Sequence, residues 1–187
     1  MKLKFLATSI ALILGFYSGA SAITVLPLSE EELTRRATVI VVGEVEDVFS
    51  GFDQSHATIY TYIKVRVTTS LKGEIHGDYI TLRQMGGTVD DETVTVPGAP
   101  IYELGDEVLL FAGPLGQTGY YGVLGIFYGK YDIELDPSTG TKYVSGPSFE
   151  AIHTDPVTLE PLPQRIRPDK VYLNDFLSEI RLYLKKM

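Results

Sequence analysis

The chain has 187 residues, contains no cysteine and carries a formal net charge of −8 at pH 7. The lack of cysteine excludes disulfides, thiol catalysis, cysteine-ligated zinc and iron–sulfur clusters. The acidic balance argues against nucleic acid and anionic membranes as partners, because both are bound by clustered lysine and arginine.

The first 22 residues are predicted to be a cleaved signal peptide. Lys2 and Lys4 supply a positive start, residues 5–17 are mostly apolar, and Ala20-Ser21-Ala22 is a small-x-small cleavage site. The apolar stretch is too short to span a bilayer, and a retained N-terminal anchor is the alternative. Removing 22 of the 187 residues by cleavage after Ala22 leaves 165. The expected product is a secreted or periplasmic protein that starts at Ile23 and has no membrane segment.

A capping box predicts a short helix near the start of the mature chain. In Ser29-Glu30-Glu31-Glu32, the Ser29 hydroxyl and the Glu32 carboxylate can both accept from free N–H groups of a first helical turn. Leu28 and Leu33 occupy the flanking apolar positions. We therefore expect a helix from about Glu30 to Arg36.

Strand patterns begin at Thr38. Residues 39–42 form a continuous β-branched run, as expected for a strand that is covered on both faces. Gly43 interrupts the run and indicates a bulge or a bend. Residues 58–71 alternate between apolar and polar side chains over a length that requires the strand to curl or to belong to a barrel. Tyr60 and Tyr62 lie on its polar side and are interpreted as surface rather than as a stacking platform.

The remaining elements are shorter. A loop is predicted at Gly86-Gly87, and residues 148–168 are predicted to be irregular because they are rich in proline. Phe176, Leu177, Ile180 and Leu184 repeat at helical spacing, which predicts a C-terminal helix. Further strands are predicted at residues 79–85, 93–96, 108–111, 120–124, 127–135 and 142–144.

This order of elements predicts a mainly β fold. The expected architecture is a small, closed or partly open barrel of the oligonucleotide/oligosaccharide-binding (OB) type, with a short N-terminal helix and a C-terminal helix. A β-sandwich is the alternative. The predicted division is a signal peptide at 1–22, an OB-like domain at 23–147, and an irregular segment plus a helix packed on the barrel at 148–187.

The titratable residues form no recognisable catalytic or metal-binding pattern. His56, His76 and His153 lack the spacing of metal ligands. The acidic run Asp90-Asp91-Glu92 is interpreted as a solvated hairpin tip, since it lacks the alternating donors of a calcium loop. We therefore predict no enzyme, no metal and no cofactor. The enzymatic alternative would use Asp90, Asp91, Glu92 or Glu74 as acid–base groups.

Several short motifs resemble the tissue inhibitors of metalloproteinases and the related netrin-type module, from Ile23 to roughly Gly125. That family opens Cys-Thr-Cys-x-Pro, and this chain has Ile23-Thr24-Val25-Leu26-Pro27 with the same spacing to its first strand. Tyr62-Ile63-Lys64, Leu71-Lys72-Gly73 and the segment 107–113 resemble later motifs of the family. The chain also resembles a group of uncharacterised bacterial exported proteins that carry the same motifs.

The resemblance implies a mechanism and a partner-binding edge formed by Ile23, Thr24 and Val25. In the family, the free α-amine and carbonyl of the first residue chelate the zinc of a protease, and the second side chain enters its specificity pocket. Ile23 and Thr24 would take these roles. Because Ile23 and Val25 replace the cysteines that pin the family's terminus, packing must hold this one. The expected partner is a secreted zinc metalloprotease, and a non-inhibitory extracellular interaction module is the alternative.

Overall fold

The computed structural model describes residues 28–126, 128–146 and 171–187. The predicted signal peptide at 1–22 and the predicted irregular segment up to residue 168 lie outside these ranges. The described elements, in chain order, are α1 (Glu30–Arg36), β1 (Val39–Phe52), β2 (Ile59–Lys72), β3 (Tyr79–Met85), β4 (Gly87–Val89), β5 (Glu92–Val94), β6 (Glu107–Pro114), β7 (Tyr121–Val123), β8 (Lys130–Leu135), β9 (Lys142–Ser145), β10 (Val171–Tyr172) and α2 (Leu173–Lys185).

The main sheet closes on itself. Its strand order is β1-β2-β3-β7-β6-β8-β9-β10, and β6 also pairs with β1, so that β1, β2, β3, β7 and β6 form a ring. The β3–β7 pairing is parallel and is made at Leu82 and Tyr121. The predicted mainly β class with a helix near each end is confirmed. The ring agrees with the OB-like prediction, and a β-sandwich description is also compatible.

Helix α1 has the predicted bounds but only half of the predicted capping box. The Ser29 hydroxyl accepts from the Glu32 N–H at 3.1 Å, which satisfies one of the free donors of the first turn. The Glu32 carboxylate instead accepts from Arg35 at 2.6 Å and from Arg36. At the other end of the helix, the Lys72 ammonium of β2 donates to the Thr34 carbonyl at 2.7 Å. This bond ties the helix to the ring.

Strand β1 serves two hydrophobic cores. Val39, Val41 and Val45 face the interior of the ring, whereas Ile40 and Val42 face the two helices. The continuous β-branched run is therefore buried on both sides, as predicted. The ring core also contains Ile63, Val65, Ile80, Leu82, Val108 and Leu110, and the helix core also contains Leu33, Leu109, Phe111, Phe176, Leu177 and Ile180.

Two strand predictions need correction. The segment at Gly86-Gly87 was expected to be a loop, but β4 begins at Gly87 and pairs with β5 in a separate two-stranded sheet. The strand expected at 127–135 begins at Lys130, because Tyr128 and Gly129 belong to the turn that precedes it. Phe127 lies outside the described residues. Within the described ranges, neither helix is long and apolar enough to cross a membrane.

Gly43 is the point where β1 changes register against β2, as the interrupted run predicted. The pairing shifts between Val42 and Gly43. A Cβ at this position would lie 2.5 Å from the Arg66 carbonyl oxygen and 2.6 Å from Val65 Cγ1. Neighbouring backbone therefore occupies the space that a side chain would need, and the close approach of β1 to β2 requires glycine.

We expect Gly43→Ala to lower the free energy of unfolding by about 1–3 kcal/mol, the usual cost of overpacking a core. Gly51→Ala in the same strand is the matched control, because its nearest contact would be Tyr62 at 3.9 Å. Urea unfolding of both variants measures the difference. Equal stability of the two variants would contradict the packing argument.

Candidate functional site

The predicted binding edge, Ile23, Thr24 and Val25, lies outside the described residues. The first described residue, Leu28, packs against the helix core. A Cβ on Gly125 would come within 2.9 Å of Leu28 Cδ1. The described chain therefore begins beside the turn between β7 and β8, of which residues 124–126, 128 and 129 are described.

This turn is tightly constrained. The Gly129 N–H donates to the Leu124 carbonyl at 2.9 Å, and the Leu124 N–H donates to the Phe111 carbonyl at 3.0 Å. Ile126 has a φ of 66°, a conformation that a β-branched residue rarely adopts. Such strain costs of the order of 1–3 kcal/mol and persists only where the surroundings impose it. Leu28 is thus anchored against a turn with a fixed shape.

The residues named for the enzymatic alternative and the described histidines lie on exposed turns, loops and a hairpin. Asp90 and Asp91 form the turn of the β4–β5 hairpin and are exposed, as the hairpin-tip interpretation expected. Glu74 and His76 are exposed on a loop, and His153 lies outside the described ranges. Within those ranges, no group of three or more histidine or acidic side chains is placed to hold a metal ion.

The most distinctive surface lies on the outer side of β1, β2 and β3. We call it the aromatic face and define it by Phe49, Tyr60, Tyr62, Arg83 and Tyr120. The strand register brings these residues together, because Phe49 lies opposite Tyr62 and Tyr62 lies opposite Arg83. Tyr120 directly precedes β7, which joins β3 through the parallel bridge.

The side chains of the aromatic face contact one another in a continuous row. The Phe49 and Tyr62 rings stack with centroids 5.1 Å apart and planes inclined by 17°. Tyr62 then meets Tyr120 at 5.2 Å in a tilted arrangement. The Arg83 guanidinium carbon lies 5.6 Å from the Tyr120 centroid and 4.7 Å from the Tyr60 centroid. Cross-strand contacts of this kind stiffen a sheet and fix its side chains.

The aromatic face remains accessible in the described part of the chain. Phe49 is 52% exposed, and Met85 beside Tyr60 is 51% exposed. Tyr60, Tyr62, Arg83 and Tyr120 are half-buried. On an ordinary protein surface, exposed apolar residues are scattered singly. Here the aromatic side chains form one contiguous patch, which is typical of an interaction site.

In the part of the chain that the structure describes, Arg83 contacts aromatic rings and no acidic side chain. Its Nε is buried and has no hydrogen-bond partner. Arg66, on the neighbouring strand, shows the contrasting case, because it pairs with Glu44 at 2.7 Å and with Glu46 at 2.6 Å. Contact with the aromatic rings offsets part of the cost of half-burying the Arg83 charge, but it leaves N–H donors unused.

A polar turn supports the tip of the β1–β2 hairpin next to the aromatic face. The Asp53 carboxylate accepts from the Ser55 hydroxyl at 2.6 Å and from the Ala57 N–H at 2.7 Å. The Ser55 hydrogen bond, followed by the bonds from the Ala57 and Thr58 backbone, lowers the pKa of Asp53 below its ordinary value. The ionised carboxylate therefore organises the turn.

Sequence reasoning placed Tyr60 and Tyr62 on an outward side but interpreted them as ordinary surface. The structure shows them in one row with Phe49, Arg83 and Tyr120. An alternating strand with two tyrosines on its polar side was the available signal. The other three residues belong to other parts of the chain, and only strand register brings them to the same place.

The turn at Asp53 should make stability depend on acid. Because the folded-state pKa is lowered, the contribution of Asp53 is present above its unfolded pKa of about 4 and is lost as the pH falls through the folded value. We expect Asp53→Ala to have a lower thermal midpoint than the unaltered protein at pH 7, and the difference to disappear at low pH. Asp53→Asn also cannot ionise, so its difference should vary with pH in the same way but be smaller at each pH, because the amide keeps one acceptor. A constant difference for Asp53→Ala across this range would contradict the role of the ionised carboxylate.

Comparison with known proteins assigns no function to the predicted N-terminal edge or to the aromatic face. Comparison with protein-family models, curated proteins and solved structures found no match to this chain. The resemblance to the metalloproteinase inhibitors therefore remains a prediction that rests on the motifs of the chain itself.

Proposed function

We propose that the mature chain is a secreted protein-binding module that contacts its partner through the aromatic face. The observation that carries the proposal is the half-exposed row of stacked side chains from Phe49 to Arg83. Tyrosine, phenylalanine, methionine and arginine are enriched in the cores of protein interfaces, and tyrosine and arginine dominate binding hot spots.

The stacking also reduces the cost of binding. Ordering a flexible side chain at an interface costs about 0.5–1.5 kcal/mol. Phe49, Tyr62 and Tyr120 already restrain one another through ring contacts. A partner would therefore meet a surface whose aromatic side chains are largely ordered before binding, which favours high affinity for a given contact area.

The geometry and charge favour a protein over a nucleic acid. Base stacking requires open ring faces along a positively charged groove. Here Phe49 and Tyr62 use a ring face on each other, with planes only 17° apart, and the whole chain carries a net charge of −8. The electrostatic attraction that supplies most nucleic-acid affinity is therefore missing.

Affinity capture from the native secretome tests the proposal, with mature protein starting at Ile23 as bait. We expect the double variant Phe49→Ser/Tyr62→Ser to bind the captured partner at least about tenfold more weakly, because truncation of hot-spot aromatics costs about 2 kcal/mol or more. The matched control is Leu182→Ser on α2, which removes a side chain that is 57% exposed away from the aromatic face. Thermal melts establish that both variants are folded. Capture of the same partner in the same amount by both variants would contradict the proposal.

Inhibition of a zinc metalloprotease is the second candidate function. The supporting observation is the packing of Leu28 beside the constrained turn between β7 and β8. Ile23 precedes Leu28 by five residues, so its α-amine would lie within about 18 Å of this anchor even in a fully extended chain. Ile23 would supply the amine and carbonyl to the protease zinc, Thr24 would enter the pocket, and Val25 would complete the edge. A neutral amine is a competent nitrogen ligand for zinc.

A one-residue extension tests this second function. We expect mature protein starting at Ile23 to inhibit a zinc protease of the same secretome, and protein with alanine added before Ile23 to lose that inhibition. The added residue converts the α-amine into a peptide nitrogen that cannot bind zinc. Inhibition that is unchanged by the extension would reject the zinc-chelation mechanism and leave the aromatic face unaffected.

A further inference from the structure

Arg83 gives the aromatic face a chemical specificity. We propose that this face recognises a carboxylate on its partner, held by the Arg83 guanidinium and flanked by apolar side chains of the same partner segment. This inference rests on the proposed protein-binding function and names the chemistry of the partner.

The unused hydrogen-bonding capacity of Arg83 is the first argument. Tyr60 and Tyr120 contact the guanidinium, and the buried Nε has no acceptor. A guanidinium has five N–H donors in a planar fork that matches the two oxygens of a carboxylate. A ligand carboxylate would accept from the terminal N–H groups of this half-buried side chain, since the enclosed Nε is out of a ligand's reach. Hydrogen bonds between two charged groups are stronger than those between neutral groups.

The distribution of nearby charges is the second argument. Glu44 and Glu46 of β1 are already paired with Arg66. Asp47 lies opposite Lys64 in the register of β1 and β2, and the Lys64 ammonium lies 4.0 Å from the centroid of the Tyr79 ring. The carboxylates that β1 carries on this side therefore lie opposite other cations. Among the described residues, Arg83 has no acid partner, and its charge is therefore complementary to a carboxylate of a partner.

The overall charge selects the kind of anion. A net charge of −8 repels polyanions such as nucleic acids and sulfated glycans. A single carboxylate within an apolar segment meets far less of this repulsion. Phe49 and Met85, each about half exposed, lie on neighbouring positions of the same sheet and offer apolar contacts for the flanking side chains.

A random-peptide phage library panned on immobilised mature protein tests the inference. We expect the enriched peptides to carry Asp or Glu next to aromatic or aliphatic residues. Synthetic copies in which that acid is replaced by its amide should bind at least about tenfold more weakly, since leaving one partner of a buried charged pair unpaired is costly.

Variants of the protein locate the effect. Arg83→Lys keeps the charge but not the planar fork, so both Arg83→Lys and Arg83→Gln should bind the enriched peptides at least about tenfold more weakly, by the same reasoning. Arg181→Gln is the matched control, because Arg181 is exposed on α2 and outside the aromatic face, and it should bind as the unaltered protein does. Thermal melts of all three variants establish that a loss of binding does not come from misfolding.

The outcomes separate this inference from the proposed function. Peptides that lose binding to Phe49→Ser/Tyr62→Ser but bind Arg83→Gln normally would overturn the carboxylate inference and retain the protein-binding face. Enriched peptides without an acid, or no enrichment at all, would also overturn the inference. Single-stranded DNA and heparin fragments serve as competing ligands, and Arg83-dependent binding of either that is tighter than peptide binding would overturn it as well.

Discussion

Strand β1 is the constraint on which the rest of the structure depends. Its first half pairs with β2 on one edge and with β6 on the other, and this second pairing closes the ring. Because alternate residues point to opposite faces, Val39 and Val41 fill the ring while Ile40 and Val42 support the helices. Burial of apolar surface stabilises a fold by about 25 cal/mol per Å². Because β1 contributes buried side chains to both cores, loss of its packing would destabilise both cores together.

The same strand also exposes the candidate site. Its burial declines from fully buried residues at Val39 to half-buried or exposed residues beyond Val45, where pairing with β6 ends. The second half continues with β2 as a long hairpin, so side chains that would otherwise enter a core stand on the surface. Phe49 and Tyr62 meet there across the two strands. The aromatic face therefore exists because β1 continues beyond the residues that pair with β6 and close the ring.

Local signals in the sequence predicted the elements well. The bounds of α1 follow from its N-cap serine, the two-sided burial of residues 39–42 follows from their β-branched run, and the register shift at Gly43 follows from a glycine inside a strand. Tertiary packing overrode local signals at Gly87, where turn residues predicted a loop. A side chain there would clash with Ser50 and Thr61 of the long hairpin, so glycine is needed for close packing of β4.

The candidate site could be predicted only in part, because it is assembled by pairing between distant segments. Alternation in residues 58–71 indicates which way Tyr62 points but not which residues lie beside it. Arg83 reaches the row through the β2–β3 register, and Tyr120 reaches it through one parallel bridge between Leu82 and Tyr121. The unsatisfied Arg83 Nε is likewise a property of the folded chain, since no sequence pattern distinguishes Arg83 from the acid-paired Arg66.

The most direct test of the account is the footprint of the bound partner, measured by NMR chemical-shift mapping of the backbone amides in the complex. The account predicts that the largest changes fall on residues 47–51, 60–64, 83–85 and 120, which form or adjoin the aromatic face. Changes confined to α2 and strands β8 to β10, with the aromatic face unaffected, would contradict it.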